Sequence, residues 1–183
     1  MKYIPYYLLL LLYLPLHAKY DNAILKVHAT ILPKIIFMDY NFKKKIYKNK
    51  ILIALVCDKN HYNEAIKFRE LIYKKYTNEI NGYKLQIDIV NTSDIKENDD
   101  KKSIYYLFPT ITSKTIQIIN TLKDSNAIVF SFDKKDLEFG SNISLNIGKK
   151  IRPILNMASL KNKNISLVSS LINISEIYYI GKK

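Results

Sequence analysis

The stretch "ILIALVC", Ile51–Cys57, is an unbroken apolar run with no polar residue alternating through it. A half-exposed strand alternates and an amphipathic helix repeats every three to four residues. A run that does neither is the mark of a short strand covered on both faces, as in a parallel sheet. Downstream, "HYNEAIKFRELIYKKY" sets Ala65, Phe68, Ile72 and Tyr76 at helical spacing. Asn81-Gly82 marks a turn, and "YKLQIDIV" alternates like a half-covered strand. After the polar loop "NTSDIKENDDKKS" comes the apolar strand "IYYLF". A helix follows over Thr112–Leu122 with Ile116, Ile119 and Leu122 inward, and then the buried strand "AIVFSF". Two β-α-β units in succession predict a mainly parallel sheet flanked by helices.

The flanks depart from this rhythm. Upstream, Ile24, Val27, Ile31, Leu32 and Ile35 predict a helix over Asp21–Phe37, capped by Asp21 or Asn22 and kinked or restarted at Pro33. "NFKKKIYKNK" reads as a solvated connection. Downstream, "NISLNI" and "IRPIL" flank Gly148-Lys149-Lys150, which is a hairpin pattern. Pro153 cannot donate to a ladder, which places the second strand at an edge or a bulge. A short helix over Asn156–Leu160 and a last one over Ser169–Tyr179, with Leu171, Ile172, Ile174 and Ile177 apolar, complete the chain. The expected class is α/β, a mainly parallel sheet flanked by helices with a C-terminal β-hairpin and helix.

The first residues, "MKYIPYYLLLLLYLPLHA", have the layout of a secretory signal peptide. Lys2 precedes an apolar centre at Leu8–Leu12, and Pro15 breaks the helix ahead of the small residue Ala18. The run is short for a bilayer span, so a cleaved leader over residues 1–18 is preferred to a membrane anchor. Residues 19–183 then form one domain of 183 − 18 = 165 residues in the periplasm. The formal net charge of +13 is carried by lysines scattered along a chain also rich in Ile, Asn and Tyr, the usage expected of an AT-rich genome. No basic stripe interleaved with aromatics stands out, so nucleic acid is not an expected partner. Nor is direct membrane insertion after cleavage.

Chemistry-bearing residues are sparse. Cys57 is the only cysteine and closes an apolar run, so it reads as a buried structural thiol, a poor nucleophile and an unlikely bridge between copies. Any homodimer would rest on helix or edge-strand packing. Asp58, His61 and Glu64 have ligand chemistry but read as a loop and helix cap rather than a metal site, and His28 as a packed histidine. Asp133, Asp136 and Glu138 alternate with lysines and read as a solvated, self-neutralising turn. No catalytic set, metal or cofactor is expected. Thr110, Thr112 and Ser113, in "FPTITSKT", are the candidate ligand crevice, since open parallel sheets bind ligands beyond the carboxyl ends of their strands. Helix capping accounts for the same hydroxyls.

Taken in order, these features resemble the YfiR-like family of periplasmic regulatory proteins. "KIIFM", Lys34–Met38, sits where the family has a lysine-aromatic element. "GSNISL" from Gly140 matches its glycine-led strand, and "IRPILN" to Asn156 its strand exit. "LVSSLINIS", preceded by "KNKNIS", matches the C-terminal helix. Asp39-Tyr40 stands where the family has Trp-Pro, Ser141 replaces a second glycine, and Asn164 a turn glycine. The last exchange is mild because Asn tolerates left-handed backbone. The resemblance marks Gly140 and Asn156 as family structural positions. It implies a non-enzymatic regulator that binds the periplasmic part of a membrane-bound signalling protein, such as a diguanylate cyclase. The alternative is a small periplasmic solute-binding module.

Overall fold

The computed structural model describes residues 22–96 and 101–179, so the expected leader and the cap at Asp21 lie outside the described residues. The core is an eight-stranded sheet in the order β2-β3-β1-β4-β5-β6-β7-β8. The chain enters through α1 (Asn22–Ile35), which retains Pro33 within its last turn. The two β-α-β units follow as β1 (Lys50–Cys57), α2 (Tyr62–Tyr76) and β3 (Tyr83–Asn91), then β4 (Ile104–Leu107), α3 (Thr112–Thr121) and β5 (Ile128–Ser131). β3, β1, β4, β5 and β6 (Ile143–Ile147) are mutually parallel. The expected α/β class is what the structure has.

β1 explains its own sequence. Ile51, Ile53, Leu55 and Cys57 enter the core beneath α1 and α2, whereas Ala54 and Val56 join Ile118, Ile119 and Leu122 of the α3 side. Both faces are dry, so neither can tolerate a polar residue. β2 (Glu79–Ile80) is a short antiparallel partner of β3, and Asn81-Gly82, with φ of 52° and 81°, forms the two-residue turn between them. In α3 the buried residues are Thr115, Ile118 and Ile119; Ile116, expected inward, is exposed, because the helix is rotated toward the Ile118–Ile119–Leu122 seam.

The C-terminal part differs from expectation in one respect. β6 and β7 (Ile151–Asn156) form the hairpin, with α4 (Met157–Asn162) directly after it. The last helix, however, is only α5 (Ser169–Ile174), and Glu176–Tyr178 forms an edge strand, β8, parallel to β7. β7 is therefore internal at its C-terminal half. Pro153 still lies on free edge, because the β8 ladder begins at Ile154. β8 uses backbone pairing and half-buried Ile177 where helical periodicity suggested a continuing helix.

Two buried polar contacts tie the layers together. The segment expected to be a solvated connection instead places Lys45 in the interior, its Nζ 2.7 Å from Asp39 Oδ2, with both side chains almost inaccessible. Asp39 Oδ1 accepts from Asn41 N and from Ser166 N, 127 residues away. The Lys45 carbonyl accepts from Ser103 Oγ, which itself accepts from Leu52 N. On the same sheet face, His28 Nδ1 lies 3.0 Å from Tyr106 Oη, and the imidazole stacks on Phe132. Burial lowers the His28 pKa to about 4.

Replacing Lys45 by Met should leave a buried, unpaired carboxylate and cost about 3–5 kcal/mol in urea unfolding. Adding Asp39→Asn, which removes the charge but keeps the acceptor, should recover most of that loss. His28 is neutral in the folded protein down to about pH 4, whereas an unfolded histidine takes up its proton near 6.5. Stability is therefore full above 6.5 and falls as pH drops toward 4, by about 3 kcal/mol. Urea titrations of wild type and His28→Leu across that window should differ by this slope. Parallel curves would refute it.

Candidate functional site

The carboxyl ends of β1 and β3 open onto one crevice. It has a volume of about 450 Å³ and is lined by Cys57, Asp58, Lys59, Tyr62, Ile89, Asn91 and Asp94. Its walls are ordered by short side-chain to backbone bonds. Asp58 Oδ1 accepts from Asn60 N and His61 N at the tight turn ahead of α2, and lies 3.0 Å from His61 Nδ1. Asn91 Oδ1 accepts from Ser93 N where β3 ends. These are the self-bonding turns that Asp and Asn favour.

Thr110 is not among the residues that line the crevice but borders it, its Oγ1 3.4 Å from Asp58 Oδ2, which links the segments after β1 and β4. Thr112 and Ser113 do not line the crevice; they lie exposed at the start of α3. Neither caps that helix, because Ile111 occupies the cap position and offers no side-chain bond. Tyr62, which lines the crevice, is 52 % exposed, and Ile111, next to Thr110 in the chain, is 63 % exposed. Sequence reasoning missed Tyr62, Ile89, Asn91 and Asp94. The signal available was positional: each follows or ends a strand of the parallel set, which is where such sheets present their sites.

The Cys57 thiol forms part of the floor. Burial, reinforced by the charges of Asp58 and Glu64, pushes its pKa up to about 11. It is therefore a protonated thiol at neutral pH, suited to packing rather than attack. Asp58, His61 and Glu64 are not assembled as ligands, and among the described residues no three His, Cys, Asp or Glu side chains gather in a metal-binding group.

Gly140 and Asn156 act elsewhere, as a clasp between the hairpin and α3. Gly140 has φ of 107°, and a Cβ there would lie 3.3 Å from Ile119 Cγ2. Asn156 caps α4 by accepting from Ser159 N and donates to the Leu137 carbonyl. Ser159 Oγ donates to the Gly140 carbonyl and accepts from Asn142 Nδ2. Asn164 adopts the left-handed backbone, φ 52°, in place of a turn glycine. The acidic turn beside this clasp is not wholly solvated. Asp133 accepts from Lys135 N, but Asp136 is buried, and burial together with the Asp133 charge raises its pKa to about 7. Leu137 pulls the turn inward with it.

No protein-family model and no curated protein matches the chain. Solved structures do. A conserved domain protein from Vibrio cholerae aligns with a TM-score of 0.59 at 13 % identity, over 84 % of this chain and 59 % of that one. An ABC domain from Streptococcus pneumonia in complex with L-Trp aligns at 0.53 and 12 %, over 78 % and 60 %. The chain thus spans about three fifths of the length of each structure. At such identities the likeness establishes a shared fold and no more. Among the described residues, no helix is long and apolar enough to cross a membrane.

The buried, protonated thiol should label slowly. With a maleimide at neutral pH, native Cys57 should react at least about ten-fold more slowly than in urea-unfolded protein. Non-reducing electrophoresis should show no reducible dimer. Labelling at the unfolded rate would mean that the floor of the crevice is open.

Proposed function

We propose that the chain is a non-enzymatic, YfiR-like regulatory module that docks the periplasmic part of a membrane-bound signalling protein, such as a diguanylate cyclase, at the carboxyl end of its sheet. The observation that carries this reading is how the crevice uses its groups. Asp58 and Asn91 are engaged with their own turns, while Tyr62 on the crevice wall and Ile111, which follows Thr110, are exposed. Large exposed apolar side chains around satisfied polar groups suit protein docking better than proton transfer or nucleophilic attack. Regulation then follows from linkage, since a module that binds only one conformation of a sensor shifts the sensor's equilibrium.

A second reading has its own support. The same end of the fold is where open α/β sheets take small ligands, and one structural neighbour was solved with L-Trp. A solute-binding module would use the Thr110–Asp58 corner and the Tyr62 ring.

The two readings part on one pair of measurements. A Tyr62→Ala/Ile111→Asp variant, folded as judged by its melting temperature, should lose capture of the sensor's periplasmic part by roughly ten-fold or more and should release cyclic-di-GMP output in cells. Stabilisation of the wild type by one amino acid, abolished by Thr110→Ala, would favour the solute reading. Unchanged capture and unchanged cyclic-di-GMP would dismiss the docking one.

A further inference from the structure

The lysines that look scattered in sequence are gathered by the fold. Lys43 and Lys44 lie on the turn before β1, Lys48 and Lys50 on the tight loop that starts it, Lys84 at the start of β3 and Lys101 just before β4. All six are therefore at the amino end of the sheet, opposite the crevice, and five are exposed. Lys50 and Lys84 are direct neighbours in register on adjacent strands. The ends of α1 and α2 add Lys34, Lys74 and Lys75.

The exposed lysines of this face outnumber its acids among the described residues. Among the described residues the ion pairs are Lys45–Asp39, His61–Asp58 and Lys102–Asp88, so none of the six takes part. Glu79 is the direct cross-strand partner of Lys84 and lines a groove with Lys50, so it offsets part of the charge there. Glu97, Asp99 and Asp100 lie outside the described residues. Lysines in excess of acids repel one another, a cost that an anionic partner would relieve.

We propose that the amino end of the sheet is a docking face for an anionic bilayer surface. One feature favours lipid phosphate over an acidic protein or nucleic acid. The exposed ring of Tyr47 lies between two of these cations, 5.4 Å from Lys48 Nζ and 5.8 Å from Lys101 Nζ. An amphipathic aromatic flanked by lysines is the chemistry of the headgroup zone. Docking at this end leaves the crevice facing away from the membrane. The inference does not depend on what the crevice binds.

The test is vesicle flotation with the protein expressed behind its own leader. Vesicles of mixed phosphatidylglycerol and phosphatidylcholine should bind it at low ionic strength, and pure phosphatidylcholine should not. Raised salt should release it. Lys48→Gln/Lys101→Gln should weaken binding about thirty-fold, while Lys134→Gln/Lys149→Gln, on other surfaces, should leave it nearly unchanged. Both pairs touch only exposed side chains, and melting temperatures verify that the variants are folded. Equal losses from the two lysine pairs would reduce the effect to net charge and overturn the proposal. So would binding indifferent to lipid charge, or a preference for an acidic polypeptide or DNA over the vesicles.

Discussion

The buried Lys45–Asp39 pair is the constraint on which the assembly depends. Its two charges lie within one short turn, yet their hydrogen bonds reach four distant parts of the chain. Asp39 holds the backbone at Ser166, and Met38 and Tyr40 pair with Val168 and Ser166 beside it. Through the Lys45 carbonyl the same turn holds Ser103, whose backbone bonds to Leu52 and Ile128. The entry of β1, the entry of β4, the start of β5 and the approach to α5 thus share one polar knot. A knot of this kind adds less to net stability than apolar packing of equal volume would. It does fix registry, because any slip would strand a charge in a dry interior.

Around that knot the fold divides its labour by layers and by ends. The β1 run separates two dry cores, one beneath α1 and α2 with His28, Tyr106 and Phe130, the other beneath α3. Parallel strands give the sheet two chemically different ends. At the carboxyl end, Asp58 and Asn91 turn back on their own backbone beside a crevice that the exposed Tyr62 helps to line. At the amino end, strand-leading loops rich in lysine meet around Tyr47. The hairpin clasp built on Gly140, Asn142, Asn156 and Ser159 closes the open side of the sheet against α3.

The legible parts were those governed by local periodicity. The doubly buried β1, the helical stripe of α2, the Asn81-Gly82 turn, the β6–β7 hairpin and the cap at Asn156 each follow from a short-range rule. Where the reading erred, a long-range contact decided the outcome. Ser169–Tyr179 has helical spacing, but a free edge of β7 was available and Glu176–Tyr178 pairs with it. Thr112 and Ser113 have the chemistry of caps, yet the chain enters α3 at Ile111. "DKKDLE" is solvated at Asp133 and Glu138, while Leu137 packs inward and carries Asp136 with it.

Composition and order of residues were enough to decide the class of fold, because burial on one face or two writes itself directly into hydrophobic pattern. They also pointed to the burial of Cys57, which closes that apolar run. The partners of charged side chains are a different matter. Lysines carry no periodic signal, and whether one is buried against Asp39 or set among like charges around Tyr47 depends on which loops the sheet brings together. Electrostatic interactions act through space between residues far apart in the chain, so the polar knot, the crevice and the basic end were decided by tertiary structure.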